Sequence, residues 1–244
     1  MECTRLSRYG LLAVIGADAR DFLHAQLTND IASLPSDRAA LAGWCTAKGR
    51  LLASMLVIPS PQGFLLQLAR DLAPAIAKRL SMYVLRSKVK ISDVSDAWAQ
   101  YGVWDAALKV AGVAWDGDVA TVRVDERRSL RIGPADKLSL APTKPEDAWT
   151  LEEIRAGRPL ISAATQDRFV PQMINFEALG AVSFQKGCYP GQEIVARAQY
   201  RGEVKRRMVH VQIPAGTELK PGQEFNGGVV VDSAAGEALA VMPV

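Results

Sequence analysis

Apolar positions along the chain switch between two periods, and the switches mark its elements. Leu11 to Ile15 is a short apolar run that predicts a strand. It leads into GADARDFLHAQLTND, where Asp18 can N-cap a helix that buries Phe22, Leu23 and Leu27 and ends near Thr28-Asn29-Asp30. A second extended stretch covers Leu51 to Ile58; a Pro-Gln-Gly turn and the strand GFLLQLA follow. From Asp71 to Tyr83 apolar residues recur three to four apart, the spacing of a helix with one buried face. Strand, turn, strand, helix predicts an α+β sandwich. Further strands are predicted around Tyr101 to Val103, Val119 to Val124 and Ser129 to Ile132, with a helix over Trp104 to Ala111. EDAWTLEEIRAGRPLI is helical in pattern and closes at Gly157 with Pro159 beyond it; after Val204 the pattern turns to strands and tight turns, a small all-β module.

With 244 residues, 49% of them hydrophobic, the chain has material for a real core. Its 29 basic and 26 acidic side chains leave a formal charge of +3, too small for a general nucleic-acid footprint. The longest apolar runs stop well short of the ~20 residues that span a bilayer, and no charged-then-apolar leader precedes Gly10. A soluble, cytoplasmic chain without a membrane partner is the expectation. Cys3, Cys45 and Cys188 are far apart and odd in number, which argues against a disulfide framework and for a reducing compartment. No CxxC pair occurs, and His24 and His210 stand in unrelated contexts, so no metal site is expected.

The stretch FQKGCYPGQEIVAR, residues 184 to 197, presses Cys188 between glycines and a proline. Pro190 suits the first turn of a helix, which would place Cys188 just before a helix start. Backbone N–H groups there and the cation of Lys186 would favour the thiolate, the reactive form. A structural reading stands beside this one, because free cysteines are often buried and Gly-rich turns often only join elements. Beyond it, Arg197, Arg201, Lys205, Arg206 and Arg207 form a basic cluster suited to carboxylates or phosphates, or to guarding a strand edge. Aromatic residues are not interleaved with these cations, so direct RNA binding is disfavoured.

KGCYPGQEIVAR closely resembles the K-G-C-[FY]-x-G-Q-E signature of the YgfZ-type folate-binding proteins, relatives of the glycine-cleavage aminomethyltransferase (T-protein). The resemblance extends to PQMINFEALGAVSFQ, GADARDFLHAQLTND, AKGR at residues 47 to 50, and YVLRSKVKI at 83 to 91. It implies an aminomethyltransferase-like ring of α/β sandwich domains around a central hole that accepts tetrahydrofolate. On that pattern residues 1–200 form the folate-binding region, as subdomains of about 1–45 plus 96–200 and 46–95, and residues 201–244 a short C-terminal β-barrel.

The resemblance also implies a role in iron–sulfur cluster assembly or repair, supporting iron–sulfur enzymes such as those that modify tRNA, with client enzymes or assembly proteins as partners. By position, Cys188 becomes a functional thiol with Lys186 beside it, and Tyr189, Gln192, Glu193 and Arg197 continue the motif. Trp149 matches a position where relatives carry tryptophan and would stack folate, unless it only anchors its helix; Tyr9 falls where some relatives carry another tryptophan. The acidic pattern of true aminomethyltransferases is absent from LARDLAP, although Asp71 lies there, so an accessory protein is expected rather than a conventional enzyme. The alternative is a folate-dependent one-carbon transferase or demethylase in which Asp71 or Glu193 handles protons.

Overall fold

The structure is a computed structural model that describes residues 1–105, 110, 112–202 and 204–244. In chain order its elements are β1 (Glu2–Arg5), β2 (Tyr9–Ile15), α1 (Ala19–Gln26), β3 (Ala40–Cys45), β4 (Leu51–Ser60), β5 (Gly63–Ala69), α2 (Ala73–Ser81), β6 (Lys90–Asp93) and β7 (Trp98–Trp104). There follow β8 (Val113–Asp116), β9 (Val119–Arg123), β10 (Arg128–Pro134), α3 (Glu146–Arg155), α4 (Gln192–Tyr200), β11 (Arg206–Gln212), β12 (Glu224–Phe225), β13 (Gly228–Ala234) and β14 (Glu237–Pro243). The helix expected over Trp104 to Ala111 falls largely outside the described residues; Trp104 itself ends β7. No helix among the described residues is long and apolar enough to cross a membrane.

The chain forms two compact units, the first made of residues 1–22, 32–40 and 56–149, the second of 23–31, 41–55 and 150–244. In the first unit one antiparallel sheet runs β1-β7-β10-β9-β8, and a second places β5 between the latter half of β4 and β2, with β6 beyond β2. The two faces of β7 do different work, as the period-2 alternation of a strand requires. Ala99, Tyr101 and Val103 join Cys3 and Leu138 in the core. Gln100, Gly102 and Trp104 occupy the opposite face. There the buried Gln67 of β5 donates to Gln100 Oε1 at 2.8 Å, fastening one sheet to the other. Helix α2 buries Ala73, Ile76 and Leu80, three to four apart, and packs on β2 and β6.

In the second unit β3 lies beside the first half of β4, and the C-terminal strands form a sheet in the order β11-β14-β13-β12. The expected barrel is corrected to an open four-stranded antiparallel sheet: β11 and β12 stand at its two edges among the described residues. A short 3₁₀ turn, Pro171–Ile174, supports this sheet. Asn175 just after it donates from Nδ2 to the carbonyl of Met208 at 2.8 Å, and Arg207 of β11 donates to the carbonyl of Gln172 at 2.9 Å and pairs with Glu177.

Candidate functional site

The cysteine stretch is built from three segments of the second unit that are remote in sequence. Thr28 and Asn29 make the cradle. Buried Thr28 Oγ1 donates to the carbonyl of Ala181 at 2.7 Å and accepts from the N–H of Gly43 at 2.8 Å. Asn29 Nδ2 donates to the carbonyls of Leu41 and Gly180 at 2.7 and 2.8 Å, and the Ser183 N–H reaches the carbonyl of Thr28 at 2.9 Å. The chain thus arrives at Lys186 already fixed.

Lys186 is buried, and its ammonium donates to the carbonyls of His24 and Leu27, the latter at 2.6 Å. Those carbonyls belong to the C-terminal turn of α1, where the helix dipole favours a cation. The same ammonium lies over the ring of Tyr189, 5.1 Å from its centre. Burial lowers the pKa of Lys186 to about 8, against the opposing attraction of the Asp30 carboxylate. Tyr189 is buried as well, and that burial pushes its phenol well above the usual tyrosine range. Lys186 therefore serves here as a fastening of the loop, with its charge directed at carbonyl oxygens.

The third segment is the turn between β3 and β4, which contains AKGR. Its backbone closes through Thr46 N–H to the carbonyl of Arg50 at 2.8 Å and Gly49 N–H to the carbonyl of Thr46 at 2.9 Å. Gly49 and Gly191 both have positive φ, 71° and 81°, and their backbones touch: a Cβ on Gly191 would fall 2.3 Å from the Thr46 oxygen and 2.7 Å from Gly49 Cα. Gly191 is also the N-cap of α4, so the helix begins at Gln192 and not at Pro190 as the sequence suggests. Buried Gln172 holds the helix from beneath, donating from Nε2 to the carbonyl of Val195 at 2.7 Å.

Cys188 is exposed in the loop between the two buried anchors Lys186 and Tyr189, three residues ahead of the N-cap. Cys3 and Cys45 are buried, and burial pushes the Cys45 thiol up to about 12. A Cβ on Gly187 would meet nothing within 4 Å, so the approach to the thiol from that side is open. Gln192 is half-buried, whereas Glu193 and Arg197 are exposed on α4.

Tyr9 and Trp149 belong to the first unit. Trp149, 2% exposed, packs its six-membered ring on Gly102, sits T-shaped to Trp104 at 5.5 Å, and has the Arg128 guanidinium over it at 4.9 Å. Its contacts lie on the Gln100 face of β7. Tyr9 and Gln100 line a cleft of about 320 Å³ with Arg5, Arg70, Asp96 and Trp98. Gln100 fixes the backbone there by donating to the carbonyl of Tyr9 at 3.0 Å. Asp71 is exposed in the 3₁₀ turn Arg70–Leu72 that precedes α2. The supporting roles of Thr28, Asn29, Gln172 and Asn175 were missed by sequence reasoning, although all four stand inside the segments that resemble the family.

No protein-family model matches the chain. It is 36% identical over 223 residues to an uncharacterized protein of Haemophilus influenzae, covering 90% of this chain and 76% of that one. It is 31% identical over 246 residues to the tRNA-modifying protein YgfZ of Pectobacterium carotovorum (88% and 73% covered) and 31% identical over 261 residues to that of Serratia proteamaculans (94% and 79%). Among solved structures, glycine cleavage system aminomethyltransferase T from Bartonella henselae superposes with a TM-score of 0.77 at 16% identity, covering 99% of this chain and 78% of that one, which establishes the fold. With its KGCYPGQE loop seated on the cradle and turn that its own sequence supplies, the chain belongs to the YgfZ family of tRNA-modifying proteins.

Proposed function

We propose that the protein is a cytoplasmic, tetrahydrofolate-binding accessory factor for iron–sulfur cluster assembly or repair, serving iron–sulfur enzymes such as those that modify tRNA. The observation that carries the thiol half of this reading is the contrast among the cysteines: two are buried, and Cys188 is held out to solvent between two buried anchors. Such a thiol is suited to meet a partner's sulfur or a cluster, and since clusters take about four ligands, the others would come from the partner. Cys188→Ser in a strain lacking the native protein is expected to abolish rescue of iron–sulfur enzyme activity while the purified variant stays folded. Full rescue would overturn the thiol role.

The folate half rests on the cleft beside Tyr9. Tyr9 and Trp98 supply flat faces for a pterin or benzoyl ring, Gln100 an amide, and the guanidinium groups of Arg5 and Arg70 charges for the ligand's carboxylates. Trp149, buried on the same face of β7, acts by fixing the strand that carries Gln100. Successive residues on one face are about 7 Å apart, close enough for its fluorescence to respond to a ligand. Gln192, Glu193 and Arg197 are proposed as contacts for the ligand or for the partner that meets the thiol. Titration with tetrahydrofolate is expected to quench tryptophan fluorescence in the wild type, at the same concentration in Trp149→Phe, which keeps Trp98 in the cleft, and only at higher concentration in Tyr9→Ala. Equal titration curves for wild type and Tyr9→Ala would remove the cleft from the reading.

A further inference from the structure

The segment that follows α2 has no part in either proposed site. Lys78 and Arg79 in the last turn of α2 lead into it, Arg86 and Lys88 lie within it and Lys90 opens β6 beyond it, with no Asp or Glu from residue 72 to residue 92. Among these cations Met82, Tyr83 and Leu85 are turned outward, 71%, 44% and 89% exposed. Three large apolar side chains within four residues, flanked in sequence by cations on both sides, are unusual on a surface that only meets water.

The backbone holds this display firmly. The N–H groups of Tyr83 and Val84 reach the carbonyls of Leu80 and Ser81, and that of Ser87 reaches Val84 at 2.8 Å. The Lys88 N–H donates to the Asp18 carboxylate at 2.7 Å, which pins the far end of the loop to the start of α1. Leu85 sits at φ 47°, a conformation that leucine rarely adopts and that costs free energy with no core contact in return. Residues 83–87 and Asp18 also border an open hollow of about 740 Å³ beside the apolar side chains.

We infer that this loop is a docking surface for a protein partner whose contact face is acidic with an apolar recess. Charge complementarity sets the sign of the partner: Lys78, Arg86, Lys88 and Lys90 outnumber the single carboxylate at the hollow, Asp18, which already accepts from the Lys88 N–H, and this excess of cations calls for acidic groups. The aliphatic character of Met82 and Leu85 favours a packed protein recess over RNA bases, which are held by stacked aromatic rings. The hollow favours a partner with relief of its own over a flat lipid surface. The rigid backbone means that little ordering cost is paid on binding.

The test uses the full-length protein and three probes: a fluorescein-labelled helical peptide with glutamates on one face and leucines on the other, phosphatidylglycerol vesicles, and a single-stranded RNA oligonucleotide. Saturable binding of the peptide is expected, weakened by salt, and weakened about tenfold or more by Leu85→Gly and by the pair Arg86→Glu and Lys88→Glu. Leu85→Gly relieves the positive φ, so its thermal midpoint should be unchanged or higher, which separates lost contact from lost fold. Absence of peptide binding, equal binding by Leu85→Gly, or Leu85-dependent binding confined to vesicles or to RNA would each overturn the inference.

Discussion

Gly191 meets Gly49 backbone to backbone, so closely that a methyl group on Gly191 would lie 2.7 Å from the Gly49 Cα. The contact joins the first residue of the α4 cap to the turn between β3 and β4. Gly191→Ala adds this clash to a φ of 81°, and a loss of about 2–4 kcal/mol in urea unfolding is expected. Gly187→Ala, whose new methyl meets nothing, should stay within about 0.5 kcal/mol of wild type. Similar losses for both variants would mean that the Gly49 contact is not what fixes the loop.

Thiol alkylation of the native protein should give one adduct, at Cys188. Cys3 is buried with its Sγ–H donated to the carbonyl of Ala141 at 3.2 Å, and Cys45 is buried with its pKa near 12. Both should react only after unfolding. Peptide mass mapping reads the result directly; prompt native labelling of Cys45 would contradict the burial described.

Lys186 supplies a pH signature. Its pKa is about 8 in the folded chain and about 10.5 when unfolded, so between these values the unfolded chain binds more protons and stability contributed by this group rises with pH. Lys186→Met removes the titration and the two carbonyl contacts together. The variant should be less stable than wild type, and the gap should widen from pH 8 to pH 10.5. A gap that narrows across that window would show that the ammonium is not desolvated as described.

Glu237 of β14 accepts from Arg155 of α3 at 2.6 Å and lies 2.6 Å from His210 Nε2. The Arg155 hydrogen bond foremost, and the His210 contact after it, hold its carboxyl below the usual glutamate range. That stabilisation is present above the unfolded glutamate pKa and is lost as pH falls through the lower folded value. Glu237→Gln is expected to lower stability at neutral pH, with the difference from wild type shrinking in acid. Denaturant titrations at pH 7 and pH 3 measure both points.

What could be read from the sequence was whatever depends on residues near one another along the chain. The α2 helix was legible because Ala73, Ile76 and Leu80 repeat at helical spacing, and β2, β4 and β5 because each is a nearly unbroken apolar run. The short strands β6 and β8, half of whose residues face water, carry too weak an alternation. The cysteine loop was legible as a motif, but not in its mechanics. Lys186 reads locally as a cation that helps a neighbouring thiol, yet its partners His24 and Leu27 lie 162 and 159 residues back along the chain. Asp18 reads as a helix cap, whereas its carboxylate accepts from a backbone N–H 70 residues on, that of Lys88. Trp149 presents the same problem, since only the pairing of strands decides which face of β7 it meets.

The anchoring of Cys188 sets who moves when the thiol reacts. Consecutive Cα atoms are about 3.8 Å apart, and the cysteine stands one step from buried Tyr189 and two from buried Lys186. A tether that short does not let the sulfur swing out in search of a substrate. Encounter then depends on the partner coming to the loop, and the reaction should run first order in partner concentration, with no plateau set by a loop-opening step.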